Sequence, residues 1–253
     1  MMLGVVIPHH SQRDALDRAL ASVEGQSVVV VDDSEDGGLV LPGVEVLRTT
    51  GGEGFGRAVN RGLSHLEAKG CTLALLLNDD AVLDVGALEA LMEAWCDEDG
   101  ALGPVIHESG GPVYGIRVSP MGRVRLARTP GPVQALSGAA MIIRTGERFD
   151  ERFRHGFEDL ELCRRLHQRG LRVRVVGSAR CHHIGGATVG RDTREATRGS
   201  VGGHLQYLGG GPSLGIALAL AMAQVCVEGP RRSRFLGLVE GIGDFVRARR
   251  RSG

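Results

Sequence analysis

The sequence predicts an α/β domain with a mainly parallel, Rossmann-like sheet covered by helices and a helical C-terminal extension. Three observations carry this. The first 105 residues alternate between short, wholly apolar runs and stretches whose apolar residues recur at helical spacing. The apolar runs lack polar alternation, as strands buried on both faces do. Acidic pairs, Asp32-Asp33 and Asp79-Asp80, close two of these runs, and ligands of parallel α/β sheets collect at the carboxyl ends of the strands.

Residues 3–7 read as a buried strand closed by Pro8. Residues 12–24 form a helix on Leu16, Leu20 and Val23, and the β-branched run 28–31 is the second strand. Residues 44–47 make a third strand. Ala58, Val59, Leu63 and Leu66 share one face of a helix over 55–69 that ends near Gly70. Residues 73–77 are an apolar strand closed by Asn78-Asp79-Asp80, followed by a helix over 86–97 and a strand over 101–105. The stretch 106–135 is rich in Gly, Pro and Arg, with β-like pieces at 113–118 and 124–126, and reads as hairpins or a flap. Regular elements return as a strand over 139–143, a helix over 158–169 capped by Gly170, and a strand over 173–176. Residues 1–190 are the expected main domain and 191–253 the extension.

Thirty basic residues balance thirty acidic ones, so no overall field directs the chain to nucleic acid. The five cysteines are widely spaced and form no C-x-x-C pair, which argues against a disulfide framework and for a reducing, cytoplasmic setting. The N-terminal MMLGVVIP lacks the basic start of a signal peptide. The longest apolar run, 214–227, is shorter than the roughly 20 residues a spanning helix needs.

Asn78, Asp79 and Asp80 stand where a buried strand reaches solvent. Carboxylates there can hold a hard divalent cation, with a diphosphate filling further positions. Asn and Asp also favour plain turns, and the same alternative applies to Asp32-Asp33. The glycine-rich 51–62 segment does not have dinucleotide-fingerprint spacing, but its helix can bring Arg57 and Asn60 to a nucleotide. Glu158 and Asp159 open a helix, where acids serve at least as dipole partners. His182-His183 precede a Gly pair, and His is the commonest side-chain metal ligand.

The joint order of these signals resembles the family 2 glycosyltransferases of the GT-A fold. The matching segments are VVIP (5–8), VVVDDSEDG (29–37), GFGRAVNRG (54–62), LLLNDDAVL (75–83), SGAAMIIR (137–144), FDERFRHGFEDLELCRRLHQRG (149–170) and HHIGGAT (182–188). They are most similar to bacterial rhamnosyltransferase-type members. The resemblance implies an inverting transfer of sugar from a nucleotide-diphosphate donor to an acceptor hydroxyl. Asp33 would bind the nucleobase, Asp79 the ribose or diphosphate, and Gly138 would sit beside the donor sugar. Pro8, Asn78 and Glu158 complete the implied donor site with Arg57 and Asn60. Asp80 and His183 would hold Mg²⁺ or Mn²⁺, and Asp159 would be the general base.

His9-His10-Ser11, Asp32-Asp33-Ser34-Glu35 and Thr50-Gly51-Gly52-Glu53 depart from the family pattern, which leaves the donor open among dTDP-, UDP- and GDP-linked sugars. The implied acceptor is a glycan or a lipid-linked molecule. Apolar helices are expected over 212–227 and 235–246, with seven arginines (231, 232, 234, 247, 249, 250, 251) around the second. Such a pair suits the anionic inner face of a membrane; the competing reading is a solvated basic face on helices that cap the core or pair with a second subunit. A sugar-1-phosphate nucleotidyltransferase and an inactive nucleotide-sugar binding module are the competing functions.

Overall fold

In the computed structural model, residues 1–119, 124–153, 156–183, 194–208 and 232–251 are described. The strands are β1 (Leu3–His9), β2 (Val28–Asp32), β3 (Glu45–Arg48), β4 (Leu73–Leu77), β5 (Ala81–Leu83), β6 (Asp99–Glu108), β7 (Gly111–Val113), β8 (Ile116–Val118), β9 (Val124–Leu126), β10 (Ala140–Arg144) and β11 (Arg172–His183). The helices are α1 (Arg13–Ala21), α2 (Phe55–Ala68), α3 (Ala87–Ala94), α4 (Glu158–Gln168), α5 (Arg194–Leu208) and α6 (Arg232–Arg251). The expected helix over 212–227 and the 190/191 boundary lie outside the described residues.

The main sheet runs β3-β2-β1-β4-β10-β6-β11-β5, with β7 on β6; β8 and β9 form a separate hairpin. The first four strands are parallel, as the apolar runs imply, and β11 is parallel to β6. Between these blocks, β10 lies antiparallel to both β4 and β6. A strand buried on both faces reads the same in either direction, so its apolar sequence leaves its polarity open.

Alternate side chains fill two cores, as strand geometry requires. Val6, Val29, Val31, Ala74, Leu76, Met141 and Ile143 pack with residues of α2 and α4. Val5, Ile7, Val30, Leu73, Leu75, Leu77 and Ile142 pack with residues of α1 and α3. A Cβ at Gly62 would lie 2.4 Å from Val6 Cγ1, so glycine is what lets α2 lie this close to β1.

Several bounds differ from the sequence reading. β1 continues through Pro8 to His9, which the sheet tolerates because the β1–β4 ladder ends at Val6. Gly115, at φ +93°, breaks the expected piece 113–118 into β7 and β8. α3 stops at Ala94, short of the expected 97, because the Cys96 N–H turns to the Asp99 carboxylate. Fully buried Asp99 also pairs with Arg172 and Arg174, tying β6 to β11; desolvation opposes its charge, but the bonds from Arg174 and Cys96 outweigh it and hold its pKa down at about 2. β11 extends from the expected 173–176 as far as His183, past a register shift between Val176 and Arg180.

Candidate active site

β4 delivers Asn78-Asp79-Asp80 to the carboxyl end of the parallel strands. The Asn78 N–H donates to the Ala139 carbonyl at 2.9 Å, and the Ala81 N–H closes the turn onto the Asn78 carbonyl at 3.1 Å. β5 then runs antiparallel to the end of β11, with Ala81 opposite His183. This ladder sets His183 Nε2 3.1 Å from Asp80 Oδ1. Strand alternation sends the neighbouring His182 elsewhere: it is exposed, 3.0 Å from Asp84 and beside the His107 ring. Burial opposes the charged form of His183, but Asp80 and then Glu108 outweigh it and raise its pKa.

Asp79 and Asp80 are both buried. Asp79 Oδ2 is 2.8 Å from His9 Nδ1 and accepts the His10 backbone N–H at 3.4 Å. His9, which the sequence offers as a loop or nucleotide contact or as a metal ligand, is brought to Asp79 from 70 positions away, so the pairing itself is beyond the reach of any local pattern. Among the described residues, Asn78 Oδ1 and His183 Nδ1 at this end of the sheet are enclosed and make no hydrogen bond. The latter is 3.7 Å from Glu108 Oε1. Among the described residues, no three His, Cys, Asp or Glu side chains cluster to enclose a metal. Asp80 and His183 supply two donors.

Asp159 joins the same end through the segment before β10. Its Oδ2 accepts the Gly138 N–H at 3.0 Å and its Oδ1 the Leu160 N–H at 2.8 Å. Gly138 precedes Ala139, whose carbonyl holds Asn78. A short chain of contacts therefore connects Asp159 to the Asp79-Asp80 turn and His183. A Cβ at Gly138 would lie 3.3 Å from the Phe55 ring and 3.8 Å from Asp159 Cβ, so glycine lets this segment pack closely against Phe55.

Desolvation raises the pKa of both acids of the pair. For Asp159 it outweighs the lowering effect of the backbone N–H groups. Glu158, whose Oε2 makes no hydrogen bond, is pushed up to about 8 by desolvation first and by the Asp159 charge second. The folded protein thus holds a proton on Glu158 that the unfolded chain releases near its ordinary 4.5. The corresponding stability is full below that value and is lost as pH rises through about 8. Glu158→Gln should flatten this decline and raise Tm at pH 8, by about 2–4 °C for each kcal/mol recovered; thermal melts from pH 5 to 8.5 would check it.

The other expected contacts are engaged within the protein. The Asp33 carboxylate accepts the Thr49 hydroxyl and the Glu53 and Gly54 N–H groups, closing the loop before α2. Asn60 bonds the Phe149 backbone in both directions and reaches Glu151 Oε1 at 3.2 Å. Arg57 pairs with Glu151 at 3.3 Å. Arg57 and Asn60 line an open cleft of about 610 Å³ beside the 148–151 segment. Pro8 lies half-buried near the end of β1.

Residues 4–147 match the sequence model of Glycosyl transferase family 2. The chain belongs to that family. Among curated relatives of this family 2 member is the N-acetylglucosaminyl-diphospho-decaprenol L-rhamnosyltransferase of Mycobacterium tuberculosis, 28% identical, with 72% of this chain and 74% of the relative covered. In fold the chain is similar to GalNAc-T7 solved with UDP, GalNAc and Mn²⁺, at a TM-score of 0.60 and 18% identity. That match covers 72% of this chain and only 43% of GalNAc-T7. It is also similar to the mannosyltransferase PcManGT of Pyrobaculum calidifontis in complex with GDP-Man and Mn²⁺, at a TM-score of 0.58 and 13% identity. There the match covers 96% of this chain and 86% of the other. The GT-A fold and a glycosyltransferase role follow.

Proposed function

We propose that the protein transfers a sugar from a nucleotide-diphosphate donor to an acceptor hydroxyl, with inversion and with a divalent cation, Mg²⁺ or Mn²⁺. The contact chain from Asp159 through Gly138, Ala139 and Asn78 to Asp80 and His183 carries this reading. The donor set fits such an ion: a carboxylate oxygen and an imidazole nitrogen 3.1 Å apart, next to a strand end where Asn78 Oδ1 lacks a partner. Two protein donors leave room for diphosphate oxygens. Bound there, the cation would neutralise charge on the departing diphosphate, a role worth several kcal/mol.

The chain's own groups do the rest. Asp159 takes the acceptor proton, and its raised pKa makes it a stronger base than an ordinary aspartate. The Gly138 and Leu160 N–H groups fix its orientation. With one base and no second carboxylate acting as nucleophile, the acceptor oxygen displaces the diphosphate directly and the anomeric configuration inverts. His9 holds Asp79 toward the ribose or diphosphate. Asp33 shapes the loop that receives the base, whether the donor is dTDP-, UDP- or GDP-linked. The relatives' UDP, GDP-Man and Mn²⁺ support this donor class, and the diphospho-decaprenol acceptor named for the mycobacterial relative supports a lipid-linked acceptor.

A lipid-linked acceptor suits a protein that works at the inner face of a membrane. Among the described residues no helix is long and apolar enough to cross one. α6 leaves Leu236, Val239 and Val246 exposed while Leu238 and Phe245 face α5, which favours peripheral contact; dimerisation through the same stripe is the alternative.

A thermal-shift screen of dTDP-, UDP- and GDP-sugars with Mn²⁺ tests the function. One donor should raise Tm by mass action, by about 2.7 kcal/mol of stability at a hundredfold excess over Kd, and EDTA should abolish the shift. No shift from any donor would contradict the reading.

A further inference from the structure

We propose that α5, in the C-terminal extension, is a positioning element for the base: Gly203 and His204 hold Phe157 in a left-handed conformation and so aim Glu158 and Asp159. The inference rests on reading Asp159 as the base. Phe157, at φ +73°, is the only non-glycine residue among the described residues with a positive φ. A bulky residue there costs on the order of 1–3 kcal/mol and persists only where its surroundings impose it. It immediately precedes Glu158, so its dihedral angles set the direction in which α4 starts. A return to negative φ would swing the first turn of α4 away from the Gly138 N–H that holds Asp159.

α5 supplies the imposing contacts. The Phe157 ring stacks on His204, with centroids 5.0 Å apart and planes 13° from parallel, and lies 6.0 Å from the Tyr207 ring. Gly203 sits directly on the turn: a Cβ there would lie 2.5 Å from the Gly156 carbonyl oxygen and 3.1 Å from Phe157 Cδ2. α5 is itself fixed to α4, because Arg164 donates to the Tyr207 carbonyl at 2.7 Å and covers the Tyr207 ring at 4.7 Å. The adjacent glycine serves another neighbour. Gly202 abuts α6, where its Cβ would lie 3.2 Å from the Gly241 carbonyl oxygen. Two consecutive glycines thus let one helix approach the base turn on one side and α6 on the other.

The pair Gly203→Ala and Gly202→Ala separates positioning from plain packing. Gly203→Ala must displace backbone at the turn and is expected to lower kcat by about 10–10²-fold, with a smaller change in donor KM. The acid limb of its kcat–pH profile should move down as the turn opens to solvent. Gly202→Ala, which presses only on α6, should lower Tm and leave kcat and the pH profile as in wild type. His204→Ala should repeat the kcat loss and His204→Phe, which keeps the stack, should restore it; these variants answer the question if Gly203→Ala does not fold. Wild-type kcat and pH profile in both Gly203→Ala and His204→Ala, or an equal kcat loss in Gly202→Ala, would overturn the proposal. Asp159→Asn run alongside keeps the two readings apart. Loss of turnover there with an unaffected Gly203→Ala refutes only the role of α5, whereas retained turnover in Asp159→Asn removes the base itself.

Discussion

Asp159→Asn is expected to lower kcat for sugar transfer by about 10²–10⁴ while leaving nucleotide affinity within about twofold, because the amide keeps the shape of the side chain and removes only the proton acceptor. The carboxylate now accepts two backbone N–H groups, from Gly138 and Leu160. An amide can offer its oxygen to one of them, at a cost of roughly 0.5–1.5 kcal/mol for the bond lost. It also removes a desolvated charge beside Glu158, so the fold should survive and the pKa of Glu158 should fall. Steady-state kinetics with calorimetry of nucleoside diphosphate binding would check both halves; a fall in affinity matching the fall in kcat would assign Asp159 to binding.

Asp80→Ala carries the second large effect. It removes one of the two proposed donors to the cation and, among the described residues, leaves Glu108 as the acidic partner of His183. Nucleoside diphosphate affinity measured with Mn²⁺ should fall by about 10–10²-fold or more, and affinity measured in EDTA should match wild type. Calorimetry in the two buffers separates these terms. Equal affinities with Mn²⁺ would place the cation elsewhere. Equal losses in both buffers would mean that Asp80 holds the strand-end turn together rather than the ion.

The legible part of the fold was the part whose chemistry is local. The runs 5–7 in β1, 28–31 in β2 and 73–77 in β4 are apolar at every position, and that suffices to make them buried strands and to put Asp79-Asp80 at a carboxyl end. The direction of β10 and the existence of β5 were not legible. The first is symmetric in burial, and the second is only three residues long. Yet the β5–β11 ladder is what carries His183 to Asp80, and its two-residue alternation selects His183 over His182. Asn60 shows the opposite limit. Sequence placed it on a helix leading toward a nucleotide, and the structure turns its amide onto the Phe149 backbone. Nothing in a polar residue's identity distinguishes a ligand contact from a bridge to a segment 89 positions away. The same holds for His9 on Asp79 and for α5 on Phe157, contacts made only once the chain has folded.

In the proposed function, Asp80 and His183 share one cation with the diphosphate of the donor. Electron–nuclear double resonance on the Mn²⁺–nucleoside diphosphate complex reads it directly. The expected result is ³¹P and imidazole ¹⁴N couplings at a single Mn²⁺ centre, with the ¹⁴N coupling lost and the ³¹P coupling kept in His183→Ala. A wild-type spectrum with ³¹P but no ¹⁴N coupling, or a ¹⁴N coupling that persists in His183→Ala, would contradict it.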